Sequence, residues 1–159
     1  MLEVRIDIHI ARPAPVVFGV VSDMAQNPRW QKGMDACTWT LGGPDVDSGV
    51  QVGHTYDQEA HFMGKPIISR FKVTEFDAGH RIRIETYEST MPLDITRSVV
   101  DADRDGKDGG CRVQAIIRGA PQGLMRLFNP LMKPMVRKNI ERDYTLLKRM
   151  LEAGELGVG

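Results

Sequence analysis

The sequence is short of three features that would point at once to a class of protein. It has only two cysteines, Cys37 and Cys111, which lie far apart and have no Cys-x-x-Cys partner. Its 21 basic and 21 acidic residues cancel, so no overall field draws the chain to nucleic acid or to an anionic membrane. No apolar run approaches the roughly 20 residues that span a bilayer. We therefore expect no disulfide framework, no nucleic-acid partner and no integral membrane segment.

The residues that are present are typical of one globular domain. The chain has 159 residues, of which 42% are apolar and 26% charged, which allows a substantial core and argues against disorder. No internal repeat or linker divides it, so we predict a single domain over residues 1–159. The first residues alternate between apolar and charged and lack the apolar core of a signal peptide. Together with the two isolated thiols, this predicts a cytoplasmic protein with reduced cysteines.

Metal-site and cofactor motifs are weak or missing. The run from Asp101 to Gly106 has carboxylates at positions one, three and five of a calcium loop and glycine at position six. Its twelfth position, however, is Arg112, where a bidentate glutamate is needed, so we expect a solvated hairpin loop. The histidines show no ligand spacing, and the chain has no nucleophile elbow, phosphate loop or dinucleotide fingerprint. We expect no metal and no cofactor.

Alternating apolar residues predict a chain dominated by strands. Leu2–Ile10 is the first strand, and Pro15–Met24 and Gln26–Trp30 follow it as two short helical segments. The remaining predicted strands are Asp35–Leu41, His54–Met63, Pro66–Phe76, His80–Glu88, Leu93–Ala102 and Gly110–Gly119. The short links between the later strands favour antiparallel hairpins.

The end of the chain has a different period. Apolar residues recur at helical spacing from Pro130 to Glu152, which predicts one long amphipathic helix, preceded by a short helix over Gln122–Phe128. Pro134 predicts a kink in the first turns of the long helix. Because such a helix must bury its apolar stripe, we expect it to pack against the sheet.

Three motifs resemble the START-like (SRPBCC) superfamily, which includes polyketide cyclases and dehydrases, lipid-transfer domains and the birch-pollen allergens. The opening strand and its Ala-Pro-x-x-Phe continuation, Ile8–Phe18, are similar to the family's start. Asp23 with Pro28–Trp30 is similar to its Asp…x-Pro-x-Trp segment, and Leu147–Glu152 to its ending. The resemblance implies an α+β helix-grip fold, in which about seven antiparallel strands wrap around a long kinked C-terminal helix. It also implies a deep, mostly apolar cavity between sheet and helix.

Strand alternation then selects candidates for the cavity lining. Trp30 is expected at the rim or in packing, and the methionines near the helix bend are soft side chains that suit a cavity mouth. The candidate ligand-binding residues are Trp30, Tyr56, Phe62, Ser69, Phe71, Ile84, Thr86, Ile95, Arg97, Val113, Phe128, Met132 and Met135.

Arg97 is the unusual member of this set, because a cation between Ile95 and Val99 is costly unless it is paired or wetted. In one interpretation the strand register slips, or the side chain extends to the rim. In the other, Arg97 anchors a carbonyl, enolate or carboxylate of an apolar ligand, with Tyr56 and Ser69 as further hydrogen-bonding partners.

The predicted function is the binding of a hydrophobic small molecule of lipid, polyketide or isoprenoid type in this cavity. One alternative is a polyketide aromatase or cyclase, in which Arg97 and Tyr56 polarise carbonyls and relay protons. A further alternative is a protein-binding module like the co-chaperone branch of the superfamily. The lack of a convincing acid–base pair favours the binder. Ligand identity, catalysis and oligomeric state are left open by the sequence.

Overall fold

The computed structural model describes residues 2–102, 109–119 and 132–157. These residues form seven strands, three α-helices and one 3-10 turn, Met24–Gln26. The strands are β1 (Leu2–Ile10), β2 (Met34–Leu41), β3 (Thr55–Phe62), β4 (Lys65–Asp77), β5 (Arg81–Ser89), β6 (Leu93–Asp101) and β7 (Cys111–Gly119). The helices are α1 (Ala14–Val21), α2 (Asn27–Trp30) and α3 (Lys133–Glu152).

The strands make one antiparallel sheet in the order β1-β7-β6-β5-β4-β3-β2. Strands β2 to β7 follow one another as a meander, and β1 pairs with β7, so that Ile6 lies opposite Ala115. The apolar alternation of each strand directs one row of side chains to the concave face, which α3 covers. The predicted α+β helix-grip fold, with short helices after the first strand and a long C-terminal helix, is confirmed.

The first helical segment is shorter than predicted. It ends at Val21 rather than at Met24, although the hydroxyl and the N–H of Ser22 still donate to the Phe18 carbonyl, at 2.6 and 3.0 Å. Asp23 then adopts an extended conformation and its carboxylate accepts the Ala25 N–H at 3.2 Å. This is an N-cap, so the chain starts a new turn at Met24 instead of continuing the old helix.

The predicted C-terminal helix is present over its described part. The described helix starts at Lys133, so Pro134 lies in its first turn. At that position a missing N–H costs no intrahelical hydrogen bond, and the described helix therefore gives no reason for the predicted kink. The predicted helix over 122–128 and the start at Pro130 fall outside the described residues.

Helix α3 closes the core with the second half of its length. Tyr144, Leu147 and Leu151 are at most 1% exposed and pack with α1, β1 and β7 in one apolar cluster. A second cluster surrounds Tyr56 and Phe71 on β3 and β4. Burying a large apolar side chain contributes about 1.5–3 kcal/mol, so these clusters are the main source of stability.

Two absences can be stated for the described residues. No helix among them is long and apolar enough to cross a membrane. No group of three or more histidine, cysteine or acidic side chains in the same residues could hold a metal ion. Residues 103–106 of the calcium-like run lie outside them.

Candidate functional site

A cavity of about 410 Å³ lies between the concave face of the sheet and the first half of α3. Its volume falls in the range of about 300–1,000 Å³ that is usual for small-molecule sites. The wall is mostly apolar, with Leu93, Ile95 and Ile117 from the sheet and Val136 and Ile140 from α3. The shape and lining suit an apolar molecule of modest size.

The structure brings seven of the predicted residues together in the cavity wall. They are Tyr56, Phe62, Ser69, Ile84, Ile95, Arg97 and Met132. Four strands, β3 to β6, contribute six of them, and Met132 is the N-cap residue of α3. The register of these strands therefore decides most of the composition of the wall. Alternation within each strand was the signal that found all but Met132.

Other predicted residues lie on the correct face but behind the wall. Phe71 is stacked parallel to the Tyr56 ring at 5.0 Å and is fully buried. Trp30 packs edge-on against Tyr144, and Val113 belongs to the cluster beneath α1 and α3. Thr86 is held at the end of its hairpin, where its hydroxyl accepts the Leu93 N–H at 2.9 Å. These four stabilise the wall and do not line the cavity.

The last two predicted residues, Met135 and Phe128, are not found in the cavity wall among the described residues. Met135 is 38% exposed and borders a shallow surface depression beside the cavity, together with Lys32 and Met63. Phe128 lies outside the described residues.

Arg97 points inward and is only 1% exposed, so the interpretations that put it at the rim or slipped its register are wrong. Its Nε donates to the Tyr144 hydroxyl at 3.2 Å. Its Nη1 donates to the Val21 carbonyl at 2.9 Å and to Asn27 Oδ1 at 3.0 Å. Its guanidinium carbon lies 5.0 Å from the centre of the Trp30 ring, a cation–π contact.

The fold around Arg97 provides acceptors for Nε and Nη1 without neutralising the charge of the guanidinium. Val21 is the last residue of α1, where carbonyl groups carry the partial negative charge of the helix end. Tyr144 and Asn27 contribute neutral oxygens. Among the described residues, no carboxylate lies within 4 Å of the guanidinium, although many surface arginines have such partners. The cavity wall therefore contains a buried cation whose counter-charge is not supplied by those residues.

Tyr56 contributes a second incomplete group. Its hydroxyl is buried and has no hydrogen-bond partner among the described residues. Burial raises the pKa of this phenol well above its ordinary value, and the nearby Arg97 charge only partly opposes the shift. Tyr56 is thus a neutral hydroxyl in the wall, and a buried hydroxyl without a partner costs free energy until something binds it.

Ser69 is less available than the sequence predicted. Its hydroxyl lies 2.7 Å from the Ser89 hydroxyl on the neighbouring strand, and Ser89 also accepts the Met91 N–H. The pair is an internal hydrogen-bonded chain, so we place Ser69 in the wall but outside the group of unpartnered donors.

Several polar residues of the wall were missed from the sequence. Gln58 stands between Tyr56 and Ala60 on the same alternating face, so strand periodicity could have found it. Asn27, Gln31 and Asp143 come from helices and turns whose positions depend on tertiary packing. Gln31 Oε1, like the Tyr56 hydroxyl, is buried without a partner among the described residues.

Asp143 is the carboxyl of the wall. Its side chain is 13% exposed, and it accepts the Lys32 N–H at 3.4 Å. Burial raises the pKa of this carboxyl, opposed by the Lys32 N–H and by Arg142. A carboxyl with a raised pKa in a cavity is a candidate for proton transfer.

Comparison with known proteins defines the class. The model of the polyketide cyclase / dehydrase and lipid transport family matches residues 1–152, and the chain belongs to this family. A search of curated protein sequences finds no match.

Solved structures share the fold at low sequence identity. TTHA0849 from Thermus thermophilus is 18% identical with a TM-score of 0.73, over 96% of this chain and 98% of that one. A START superfamily protein from Mycobacterium smegmatis is 17% identical with a TM-score of 0.68, over 96% of both chains. The di-domain ARO/CYC protein BexL from the BE-7585A biosynthetic pathway is 18% identical with a TM-score of 0.68, over 96% of this chain and 47% of that one.

Proposed function

We propose that the protein binds a hydrophobic small molecule of lipid, polyketide or isoprenoid type, oriented by one oxygen-bearing group. The observation that carries this proposal is the buried Arg97 cation, which faces an apolar cavity and lacks a carboxylate within 4 Å among the described residues. An enolate or carboxylate beside Arg97 would supply the missing negative charge, and a carbonyl oxygen would supply a partial one. The Tyr56 hydroxyl would donate to the same oxygen.

The apolar remainder of the wall requires the rest of the ligand to be apolar. Affinity would come from the apolar area that the ligand removes from water, about 25 cal/mol per Å². The few polar groups would fix its direction in the cavity. The ligand-binding set of this proposal is Tyr56, Phe62, Ser69, Ile84, Ile95, Arg97 and Met132, with Gln58 added.

The test compares two ligands of the same shape, 2-acetylnaphthalene and 2-isopropylnaphthalene, by calorimetric or fluorescence titration. Tyr56→Phe should weaken the affinity for the ketone roughly threefold to tenfold, as expected for the loss of one neutral hydrogen bond. The affinity for the hydrocarbon should not change. Since the Tyr56 hydroxyl has no protein partner among the described residues, the variant should fold normally. Tyr87→Phe, at a 53% exposed tyrosine, is the matched control and should change neither affinity.

Arg97→Met extends the test to the cation. At a temperature where the variant is folded, its affinity for the ketone should be roughly tenfold to a hundredfold weaker, as expected for the loss of a charged donor. Its affinity for the hydrocarbon should be unchanged. Equal losses for both ligands would mean that the cavity has collapsed. No binding of either ligand to the unmodified protein would reject the proposal.

A second candidate, a cyclase or aromatase, is favoured by one observation. The wall contains two donors, Arg97 and Tyr56, and also Asp143, a carboxyl whose pKa is raised. Donors that polarise a carbonyl and a carboxyl that moves a proton are the elements of an intramolecular aldol condensation. Incubation with a short poly-β-keto thioester should then give a cyclised product with the unmodified protein and not with Asp143→Asn, while both bind 2-acetylnaphthalene equally.

The cysteines support a reducing compartment, and we propose the cytoplasm. Cys37 and Cys111 are both free and buried. Burial raises the pKa of each thiol to about 11, so both are in the unreactive protonated form at neutral pH.

A further inference from the structure

The charges on the outer face of the sheet are neutralised within the sheet. Arg83 lies within 4 Å of three carboxylates, Glu75, Glu85 and Asp94. Arg112 pairs with Asp7 and Arg118 with Glu3, both at 2.8 Å; Arg81 pairs with Glu75. This face presents little net field to a partner.

The first turns of α3 are different. Lys133, Arg137 and Lys138 are exposed, and none has a carboxylate within 4 Å among the described residues, although Lys148 further along the helix does. The sequence contains no aspartate or glutamate between Asp108 and Glu141. The residues that precede the helix, 120–131, therefore offer no acidic side chain either.

Helix stability does not explain these cations. The N-terminal end of a helix carries partial positive charge, so it favours acidic residues and disfavours basic ones. The first turn of α3 nevertheless contains Lys133 and no acidic residue. A net charge of zero for the whole chain conceals this local excess.

Two exposed methionines lie at or next to the start of α3. Met135, in the first turn of the helix, is 38% exposed; Met63, at the tip of the β3–β4 hairpin, is 65% exposed. Met63 also has a φ of 52°, a left-handed conformation that glycine or asparagine adopts at lower cost. Both methionines border the shallow depression next to the cavity.

This surface adjoins the mouth of the cavity. The depression and the cavity share Gly33, His61, Phe62, Asn139 and Arg142 in their walls. We name the five exposed residues Met63, Lys133, Met135, Arg137 and Lys138 the basic methionine face. We propose that this face docks on an anionic lipid bilayer, with the cavity mouth turned to the membrane.

The combination of charge and apolar side chains favours a bilayer over an acidic protein. Cations near an anionic membrane surface each contribute to binding, and the flexible methionine side chains can enter the boundary between headgroups and acyl chains. The proposal goes beyond ligand binding: an apolar molecule could pass between membrane and cavity without crossing water. It rests on the cavity but not on the identity of the ligand.

The experiment is co-sedimentation of the full chain with phosphatidylcholine vesicles, with and without phosphatidylglycerol. The protein should bind only the anionic vesicles, and the triple variant Lys133→Gln, Arg137→Gln, Lys138→Gln should bind them roughly a hundredfold more weakly. The control Arg81→Gln, Arg112→Gln, Arg118→Gln removes the same charge from the sheet and should keep the affinity. Met63→Ser with Met135→Ser should weaken binding at unchanged net charge.

Equal vesicle affinity of the two triple variants, or no binding by the unmodified protein, would overturn the proposal. Binding to soluble polyglutamate as tight as to vesicles, unaffected by the methionine changes, would overturn it in favour of an acidic protein partner. Lys133 also borders the cavity, so the ligand control is the double variant Arg137→Gln, Lys138→Gln. Like the sheet variant and the methionine variant, it should bind 2-acetylnaphthalene as the unmodified protein does. Failure of membrane docking is thereby distinguished from failure of the ligand-binding proposal.

Discussion

The two halves of helix α3 have opposite roles. In the second half Tyr144, Leu147 and Leu151 are buried against β1, β7 and α1, and the Lys148 amine donates to the His9 carbonyl at 2.6 Å. In the first half Val136 and Ile140 face a cavity. The exposed cations Lys133, Arg137 and Lys138 have no carboxylate within 4 Å among the described residues. One half of a single helix thus closes the core, while the other half lines the cavity and carries exposed cations.

The largest expected effect is a difference in stability between two variants, each of which shortens one apolar side chain in one half of α3. Leu147→Ala leaves a cavity in a packed core and should lower the free energy of unfolding by about 2–5 kcal/mol. Val136→Ala enlarges a cavity that already exists and should cost about 1 kcal/mol or less. Urea unfolding of both variants measures the difference, and equal losses would show that the two halves are equally packed.

The next effect concerns the buried cation. Arg97→Met leaves the Val21 carbonyl, Asn27 Oδ1 and the Tyr144 hydroxyl without their donor, so we expect a loss of about 2–4 kcal/mol in the free energy of unfolding. Arg83→Met on the outer face removes an arginine with more ion pairs but should cost only about 1 kcal/mol, because those pairs are partly exposed. Thermal melts in which Arg83→Met loses more stability than Arg97→Met would contradict the structural role of Arg97.

A smaller effect of opposite sign is expected at the start of α3. Lys133→Glu replaces a cation by an acid at the positive end of the helix and should stabilise the protein by about 0.3–1 kcal/mol. The same change should weaken binding to anionic vesicles. A rise in melting temperature together with lost vesicle binding would show that this residue is placed for contact at the expense of stability; a fall in melting temperature would contradict the dipole argument.

The smallest effects are changes in the pH dependence of stability, and they differ in sign between two carboxyls of α3. Burial raises the pKa of Asp143, so its ionised form destabilises the folded state at neutral pH, and acidification through the raised pKa relieves the cost. The Ala11 N–H and Lys148 lower the pKa of Glu152. Its contribution is present above the pKa of the unfolded chain and is lost as the pH falls through the folded value.

Two neutral variants measure these signs. At pH 7 Asp143→Asn should be more stable than the unmodified protein and Glu152→Gln less stable. Both differences should shrink as the pH falls below the ordinary carboxyl range of about 4. If these differences in stability grew on acidification, the directions of the two pKa shifts would be contradicted.

Sequence patterns predicted the fold and the inward rows of the sheet because these depend on local periodicity. Alternation along β6 put Arg97 on the concave face, and alternation along β3 did the same for Tyr56. The patterns did not predict that Phe71 lies behind Tyr56 or that Val113 lies beneath the helices, because that depends on which elements cover each row. The neutral partners of Arg97 come from α1, α2 and α3, whose meeting point no local pattern encodes.

The pairing of β1 with β7 has a consequence for the order of events during synthesis. Leu2 is opposite Gly119, so the first strand emerges from the ribosome long before its only sheet neighbour among the described strands. At about 5–20 residues per second, the intervening chain takes roughly 6–24 s to make. Throughout that interval the backbone edge of β1 has no partner strand, although its apolar row can pack on α1. An unpaired strand edge is prone to aggregation. The need for a chaperone is therefore greatest at β1, which has to wait for β7 to complete its edge of the sheet.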